Sequence, residues 1–250
     1  MSDARVVVVT GGGTGIGRAI AHRFAAEDAD VVIVGRRAAP LDEVAASGRA
    51  DQIRPVVADV SVPADIARLS AQVNDWYGRV DVLVNNAGYL LPVTLADPAS
   101  GGPALAEMLD THLIGPYRLT AALSPMLTRP GGRVINIASI AAVTGGSGAG
   151  AAQGYAAAKA GLIGLTFGMA RELGPQGVTV NAVAPGFVED TEFTADFSQE
   201  RVAFLVGQTV TGRAGTPADV AAAVGYLAGD QAGWVTGQVL HVNGGSIFGR

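Results

Sequence analysis

A doubly wound α/β fold built on one parallel sheet is what this sequence predicts, and three observations predict it. Seven apolar runs of strand length are spread along the chain. Helix-spaced apolar stripes fill the intervals, and alternation of strand with helix implies parallel pairing through right-handed crossovers. Hydrophobic residues make up 49% of the 250 and charged residues only 16%, as expected where helices cover both faces of a sheet. A chain of this length can bury a sizeable core. Nothing marks a second domain, so residues 1–250 are read as a single domain.

The elements follow in order. The run 5–10 opens the chain, and Ile16, Ala19, Ile20 and Phe24 then repeat at three and four, which puts them on one helix face. Runs 31–34, 53–58 and 80–84 give three more strands. Ile66, Leu69, Val73 and Trp76 form a second helical stripe before the last of these. Runs 133–138, 178–183 and 239–242 complete a sheet of about seven strands. The segment 144–154, TGGSGAGAAQG, is too short to link domains and reads as a mobile loop.

Several function classes are excluded early. A net charge of -5 argues against a nucleic-acid partner or an anionic membrane surface. There is no cysteine, so disulfides and thiolate metal sites are ruled out, no metal site is expected, and a reducing compartment is compatible. No apolar run approaches the roughly 20 residues of a membrane span, and MSDAR at the N-terminus lacks the secretory pattern. The expectation is a cytoplasmic protein.

The most informative stretch is VVVVTGGGTGIGRAIAHRF, residues 6–24. Its glycines follow a strand and open a helix, which is the context a dinucleotide-binding turn requires. Gly11 suits a tight turn, Gly15 lets backbone approach a pyrophosphate, and Gly17 lets the helix pack close to the sheet. The helix start would offer free N–H groups and its positive dipole end to phosphates. A glycine-rich turn with no ligand is the plain alternative for this stretch taken alone.

The spacing TGxxxGxG resembles the short-chain dehydrogenase/reductase family, a Rossmann-like fold. Further motifs stand in the family's order: Asp59-Val60, NNAG at 85–88, YAAAK with Tyr155 and Lys159, NAVAPG at 181–186, and WVTGQVLHVNGG near the end. The resemblance covers essentially the whole chain. It implies an oxidoreductase that interconverts a ketone and an alcohol with a nicotinamide cofactor. Ser139, Tyr155 and Lys159 are its implied catalytic residues. The implied cofactor cradle is Gly11, Gly13, Thr14, Gly15, Ile16 and Gly17, with Asn86, Ala87 and Gly88, then Pro185, Gly186 and Val188, and Tyr155 and Lys159 again.

The chemistry of the pair is readable directly. Tyr155 and Lys159, at i and i+4, leave one helix face about 5 to 6 Å apart at Cβ. A phenol titrates near 10, and a neighbouring ammonium is expected to lower it toward the working range. Such a phenol would donate a proton to a carbonyl being reduced, with the Ser139 hydroxyl holding the substrate oxygen. The resemblance adds that the lysine binds the nicotinamide ribose.

Two departures stand out. Where the family usually carries a catalytic asparagine, in a segment like NLxG, this chain reads HLIG with His112. Three readings stay open: His112 replaces the asparagine in a proton relay, it fills space while water does the work, or catalysis is weakened. Ser139 and Tyr155 are also 16 positions apart, a few more than usual. The excess is glycine and alanine, either shaping the pocket or bulging into solvent; the alternative serine, Ser147, lacks the strand context.

For the cofactor, the second strand ends VVIVGRR. Gly35 stands where an NAD-binding acid would be, and Arg36 and Arg37 follow, suited to a 2′-phosphate. Both arginines could instead cap a solvated turn, and Thr14 stands where many NADP-dependent members are basic. NADP(H) is expected, with NAD(H) left open. Several segments look like 3-oxoacyl-acyl carrier protein reductases. Arg129 is available for docking an acyl carrier protein but Gln176 stands in place of a second charge, so a carrier-bound 3-oxoacyl group and an unassigned small-molecule ketone or alcohol stay equally open as substrates. The apolar lid 187–208 suits a hydrophobic substrate, and helix packing accounts for its apolar residues equally well. The family also implies a homo-oligomer, commonly a tetramer. The rival from another class is a cofactor-binding sensor or scaffold with weakened catalysis, for which His112 is the support.

Overall fold

A computed structural model describes residues 4–146 and 152–248. Strands and helices alternate along the chain: β1 (Val6–Thr10), α1 (Gly15–Ala26), β2 (Asp30–Gly35), α2 (Ala38–Ala46), β3 (Ile53–Val57), α3 (Pro63–Tyr77) and β4 (Val82–Asn85). Then come α4 (Pro98–Leu109), α5 (Gly115–Leu123), β5 (Arg133–Ile137), the short α6 (Ala141–Thr144) and α7 (Gln153–Leu173). The chain ends with β6 (Thr179–Pro185), α8 (Gln199–Gly207), α9 (Pro217–Ala228) and β7 (Val239–Val242). All seven strands are parallel in one sheet of order β3-β2-β1-β4-β5-β6-β7. The order reverses between β1 and β4, and ligands of open α/β sheets bind at such a switch point, beyond the carboxyl ends of the strands.

Period-two geometry explains how one strand serves two cores. Val7 and Val9 of β1 face a core shared with α1 and α9, where Ile20, Phe24, Val220 and Val224 are fully buried. Val8 faces the opposite core with Ile66, Leu69 and Val73 of α3, Leu119 and Leu123 of α5 and Leu173 of α7. Because both faces are covered, β1 and β2 are nearly continuous runs of valine and isoleucine instead of alternating ones.

The expected strands are all present, with shifts of one to two residues. Val80 makes only an isolated bridge to Leu127, so β4 starts later than the apolar run, and β6 extends to Pro185. One local feature was not anticipated. Between α4 and α5, Asp110–Ile114 is a π-helical turn, so 98–123 is a continuous helical run with one widened turn, and His112 sits in it. In the 144–154 segment, Ala152 pairs with Val93 in a single bridge and α7 begins at Gln153. Residues 147–151, Ser147 among them, lie outside the described residues.

Candidate active site

The glycine loop is built by its neighbours as much as by itself. Gly11 has φ +65, and a Cβ there would come 2.8 Å from the Asn86 Nδ2. At Gly17 a Cβ would be 2.0 Å from the Gly11 carbonyl oxygen, so only glycine lets α1 start this close to the loop. The loop is pinned from below: Thr10 Oγ1 accepts from the Asn86 and Ala87 backbone N–H groups, both at 2.9 Å, and Asn86 Nδ2 donates to the Thr10 carbonyl at 2.9 Å. Thr14 occupies the N-cap position of α1 but makes no side-chain cap bond, and the first turn holds no acidic residue. The first-turn N–H groups thus face the cleft without a built-in anion, which is the arrangement that takes a phosphate.

Two adjoining clefts lie along the carboxyl edge of the sheet. The central one has a volume of about 270 Å³. Into it the structure brings Gly15, Ile16, Gly17 and Asn86 from the loop side, Ser139, Tyr155, Lys159 and His112 from the other, and Pro185, Gly186 and Val188 from the end of β6. The second cleft holds the adenosine-side residues expected from the sequence: Gly13, Arg36, Arg37, Asp59, Val60 and Ala87. Gly11, Thr14 and Gly88 line both. Each residue of the implied catalytic set and cofactor cradle therefore lines one of these two clefts.

Within the second cleft, Asp59 accepts from the Ser61 backbone N–H at 2.8 Å and from its hydroxyl at 2.6 Å, which fixes the turn after β3. Arg37 stands at the N-cap position of α2 without a side-chain cap bond. Arg36 stacks its guanidinium 4.5 Å from the centroid of the Tyr89 ring. Arg37 donates from Nη2 to both carboxylate oxygens of Glu192, at 2.6 and 2.7 Å.

At the centre, Tyr155 and Lys159 lie one turn apart on α7, with Lys159 Nζ 5.6 Å from the phenol ring centroid. Lys159 is buried and donates to the Ile137 carbonyl at 2.6 Å, tying α7 to the last residue of β5. Burial holds its ammonium down, to about 7. The phenol moves the opposite way from expectation. Tyr155 keeps part of its surface open to the cleft, yet the protein around it pushes it up to about 12, with a hydrogen bond from Ser139 pulling only partly back. Lys159 does not acidify Tyr155 in the protein alone, because burial weakens the ammonium itself and desolvation outweighs its charge at this separation. Ser139 lies two residues past the end of β5, and its Oγ accepts from the Ala141 N–H at 3.1 Å.

His112 packs edge-on against the Tyr155 phenol, with centroids 5.2 Å apart at an interplanar angle of 89°. Its Nε2 lies 2.8 Å from the Tyr89 carbonyl oxygen. A carbonyl only accepts, so this contact, shorter than the 3.4 Å approach of the Tyr89 N–H to the same atom, assigns the hydrogen to Nε2. Nδ1 is then a buried acceptor with no partner among the described residues. Burial and the Lys159 charge hold the imidazole down at about 3, so it is neutral near pH 7. A Cβ on Gly88 would stand 2.3 Å from His112 Cε1, which makes glycine necessary beside this ring.

The expected lid covers the cleft with aromatic rings. Phe193 lies 5.3 Å from Tyr155, and Phe187 stacks on Phe197 at 6.1 Å. Arg129, expected near the mouth, is elsewhere: it precedes β5, at the amino edge of the sheet, with its guanidinium on Gln176, Leu127 and Ser124.

Sequence reasoning missed a polar chain beneath the site. Asn85 donates to Asn136 Oδ1 at 2.8 Å and to Thr120 at 3.2 Å, Asn136 donates to Thr166 at 2.9 Å, and Thr166 donates to the Leu162 carbonyl at 2.8 Å. It links β4, β5, α5 and α7, the elements that carry or adjoin Ser139, Tyr155 and Lys159, and its signal was an asparagine inside an otherwise apolar strand, VINI. Glu192 was also missed, since it reaches Arg37 across 155 positions of sequence.

Comparison with known proteins follows the geometry. A family model described as "Enoyl-(Acyl carrier protein) reductase" matches residues 11–246. The chain is 38% identical over 251 residues to the 3-oxoacyl-[acyl-carrier-protein] reductase of Escherichia coli (strain K12), covering 97% of each. It is 37% identical over 248 residues to the enzyme of that name from Vibrio cholerae, again with 97% of each covered. Among solved structures, a short-chain dehydrogenase/reductase from Brucella melitensis, titled glucose/ribitol dehydrogenase, superposes with a TM-score of 0.91 at 31% identity, covering 98% of this chain and 97% of that one.

Proposed function

The chain belongs to the short-chain dehydrogenase/reductase family, and from that premise we propose that it reduces the ketone of a hydrophobic substrate to an alcohol with NADPH, and runs the reverse oxidation. It is an oxidoreductase acting on CH–OH and C=O groups. The observation that carries the proposal is the meeting of Ser139, Tyr155 and Lys159 in one cleft with a glycine loop and an uncapped helix start. The preferred substrate is a 3-oxoacyl thioester on an acyl carrier protein. Two things support it: the activity named for the Escherichia coli and Vibrio cholerae relatives, and a cleft wall that includes Leu90, Ile140, Phe187, Phe193 and Phe197. Arg201, stacked 3.9 Å from the Phe197 ring, brings positive charge to that wall and takes the docking role first expected of Arg129.

The residues present fit a dinucleotide. Free N–H groups at Gly15–Gly17 would hold the pyrophosphate, Val60 and Ala87 would flank the adenine side, and Arg36 and Arg37 would receive the 2′-phosphate where Gly35 leaves no acid. When bound, NADPH supplies hydride to the carbonyl carbon. Ser139 then holds the carbonyl oxygen by its hydroxyl. Tyr155, neutral with its phenol raised, donates the proton to that oxygen. Lys159, near 7, returns a proton toward the tyrosine and holds α7 on β5.

We place the protein in the cytoplasm as a homotetramer, a reading that rests on the family and on the exposed apolar stripe of α7. The test is NADPH oxidation against acetoacetyl thioesters, diketones and quinones, with Tyr155→Phe alongside. The variant is expected to bind NADPH normally and lose ~10² to 10⁴ in turnover. Near-normal kcat in Tyr155→Phe would remove the phenol from the mechanism, and cofactor binding with no oxidation of any substrate would turn the protein into a sensor.

A further inference from the structure

At the adenosine end of the cleft the chain sets two cations against one anion, and they come from opposite walls. Arg36 and Arg37 follow β2, whereas Glu192 comes from the segment between β6 and α8. Arg37 Nη2 lies 2.6 Å from Glu192 Oε1 and 2.7 Å from Oε2, so one guanidinium nitrogen serves both oxygens. Glu192 lines both the adenosine cleft and the central cleft. Its neighbour Phe193 packs on Tyr155, and its other neighbour Thr191 lies over Gly15. The pair is more than half exposed on both sides, so it is a weak, exchangeable contact.

We propose that Glu192 is an internal competitor for Arg37 that sets the ratio in which the cleft takes NADPH and NADH. A 2′-phosphate, with nearly two negative charges and three acceptor oxygens, needs the guanidinium that Glu192 holds and is repelled by the carboxylate beside it. A ribose 2′-hydroxyl needs neither arginine, and a nearby carboxylate can accept from it. The glutamate thus lowers NADPH affinity and leaves NADH affinity intact. Two arginines alone overstate the selectivity, because one of them is already neutralised from across the cleft. Arg36, parked on Tyr89 with no carboxylate paired to it among the described residues, is the guanidinium a phosphate would meet without that competition.

This inference rests on the reading of Arg36 and Arg37 as receivers of the 2′-phosphate, and the experiment separates the two. NADPH and NADH are titrated by nicotinamide fluorescence against the wild type, Glu192→Gln, Arg37→Gln and the double variant, with melting curves to confirm folding. Glu192→Gln is expected to tighten NADPH by about two- to fivefold, the scale of one exposed ion pair, with NADH unchanged or slightly weaker. The effect should shrink with added salt and vanish in the Arg37→Gln background. An unchanged NADPH to NADH ratio in Glu192→Gln, or the same shift without Arg37, overturns the proposal. A wild type that prefers NADH, with the Glu192 effect still present and still dependent on Arg37, overturns the cofactor reading and upholds the proposal. Binding of neither nucleotide overturns both.

Discussion

Lys159, His112 and Tyr155 share one burial problem, and each solves it by staying uncharged over part of the pH range. Lys159 titrates near 7 in the folded chain against 10.5 as a free side chain. Between those values the unfolded state holds a proton that the folded state has released, so stability rises with pH across that window and the full burial cost is felt below 7. Lys159→Met should remove the rise, and urea titrations from pH 6 to 10 would show it as a gap between wild type and variant that changes with pH. His112 acts in the acid range. Its imidazole is held at about 3 instead of 6.5, so the unfolded chain takes up a proton that the folded chain refuses, and stability falls as pH drops from 6.5 toward 3. His112→Asn should flatten that fall. In activity it should leave the pH profile between 5 and 9 unchanged, because a neutral histidine has nothing to titrate there. A profile that shifts with the substitution would show the imidazole passing protons. The sequence named all three residues. It misjudged Tyr155 because spacing along a helix reports the distance to an ammonium and says nothing of how deeply both groups are buried.

At the scale of elements, apolar periodicity found every strand because the sheet is covered on both sides, and continuous valine runs such as 6–9 have few other readings. Strand ends were less legible. The run 80–84 begins with a residue that pairs only with Leu127, and where pairing starts is set by the neighbouring strand. The π turn at Asp110–Ile114 left no periodic signal, since one widened turn shifts the register by a single residue. Its consequence is local: it sets His112 against Tyr89, Gly88 and Tyr155. Helix starts carry clearer marks. Thr216 caps α9 in a capping box, accepting from the Asp219 N–H while the Asp219 carboxylate accepts from the Thr216 N–H at 2.8 Å. Arg213 pairs with the same carboxylate at 2.7 Å and holds it well below the usual range. Since α9 packs on α1 and on β5 and β6, fraying at Thr216 loosens the face that carries the glycine loop. Thr216→Ala should cost about 1 kcal/mol in a urea titration. A cost near zero would mean that tertiary packing alone holds the helix start.

The whole molecule places its chemistry where the strand order reverses, so loops after β1, β4, β5 and β6 converge although they are spread across the chain. Ordered motifs made that convergence legible. Arg129 and Glu192 were not, because which edge a loop occupies and what it faces are decided by the assembled sheet. One surface remains unused by the single chain. Along α7, Ala157, Ala160, Gly164, Phe167, Gly168 and Arg171 repeat at three and four on the exposed side, while Leu162, Thr166 and Met169 face the core. Phe167 is 40% exposed, and a Cβ at Gly164 or Gly168 would meet nothing within 4 Å. Small residues flanking an exposed ring let a second helix approach closely, and Tyr117 on α5 is a further exposed ring. The proposed homotetramer would bury this stripe. Gly168→Arg adds a charged side chain where the single chain has room for it, so folding and helix content should survive. Light scattering should then show the wild type at a multiple of 25.2 kDa and the variant at a smaller multiple. Tyr155 and Lys159 sit on the opening turns of the same helix, about 20 Å and about 14 Å away at helical rise. Lost assembly should therefore also lower kcat several-fold without touching a catalytic atom. A wild type that is monomeric at micromolar concentration, or a variant that keeps its full mass, would move the assembly surface off α7.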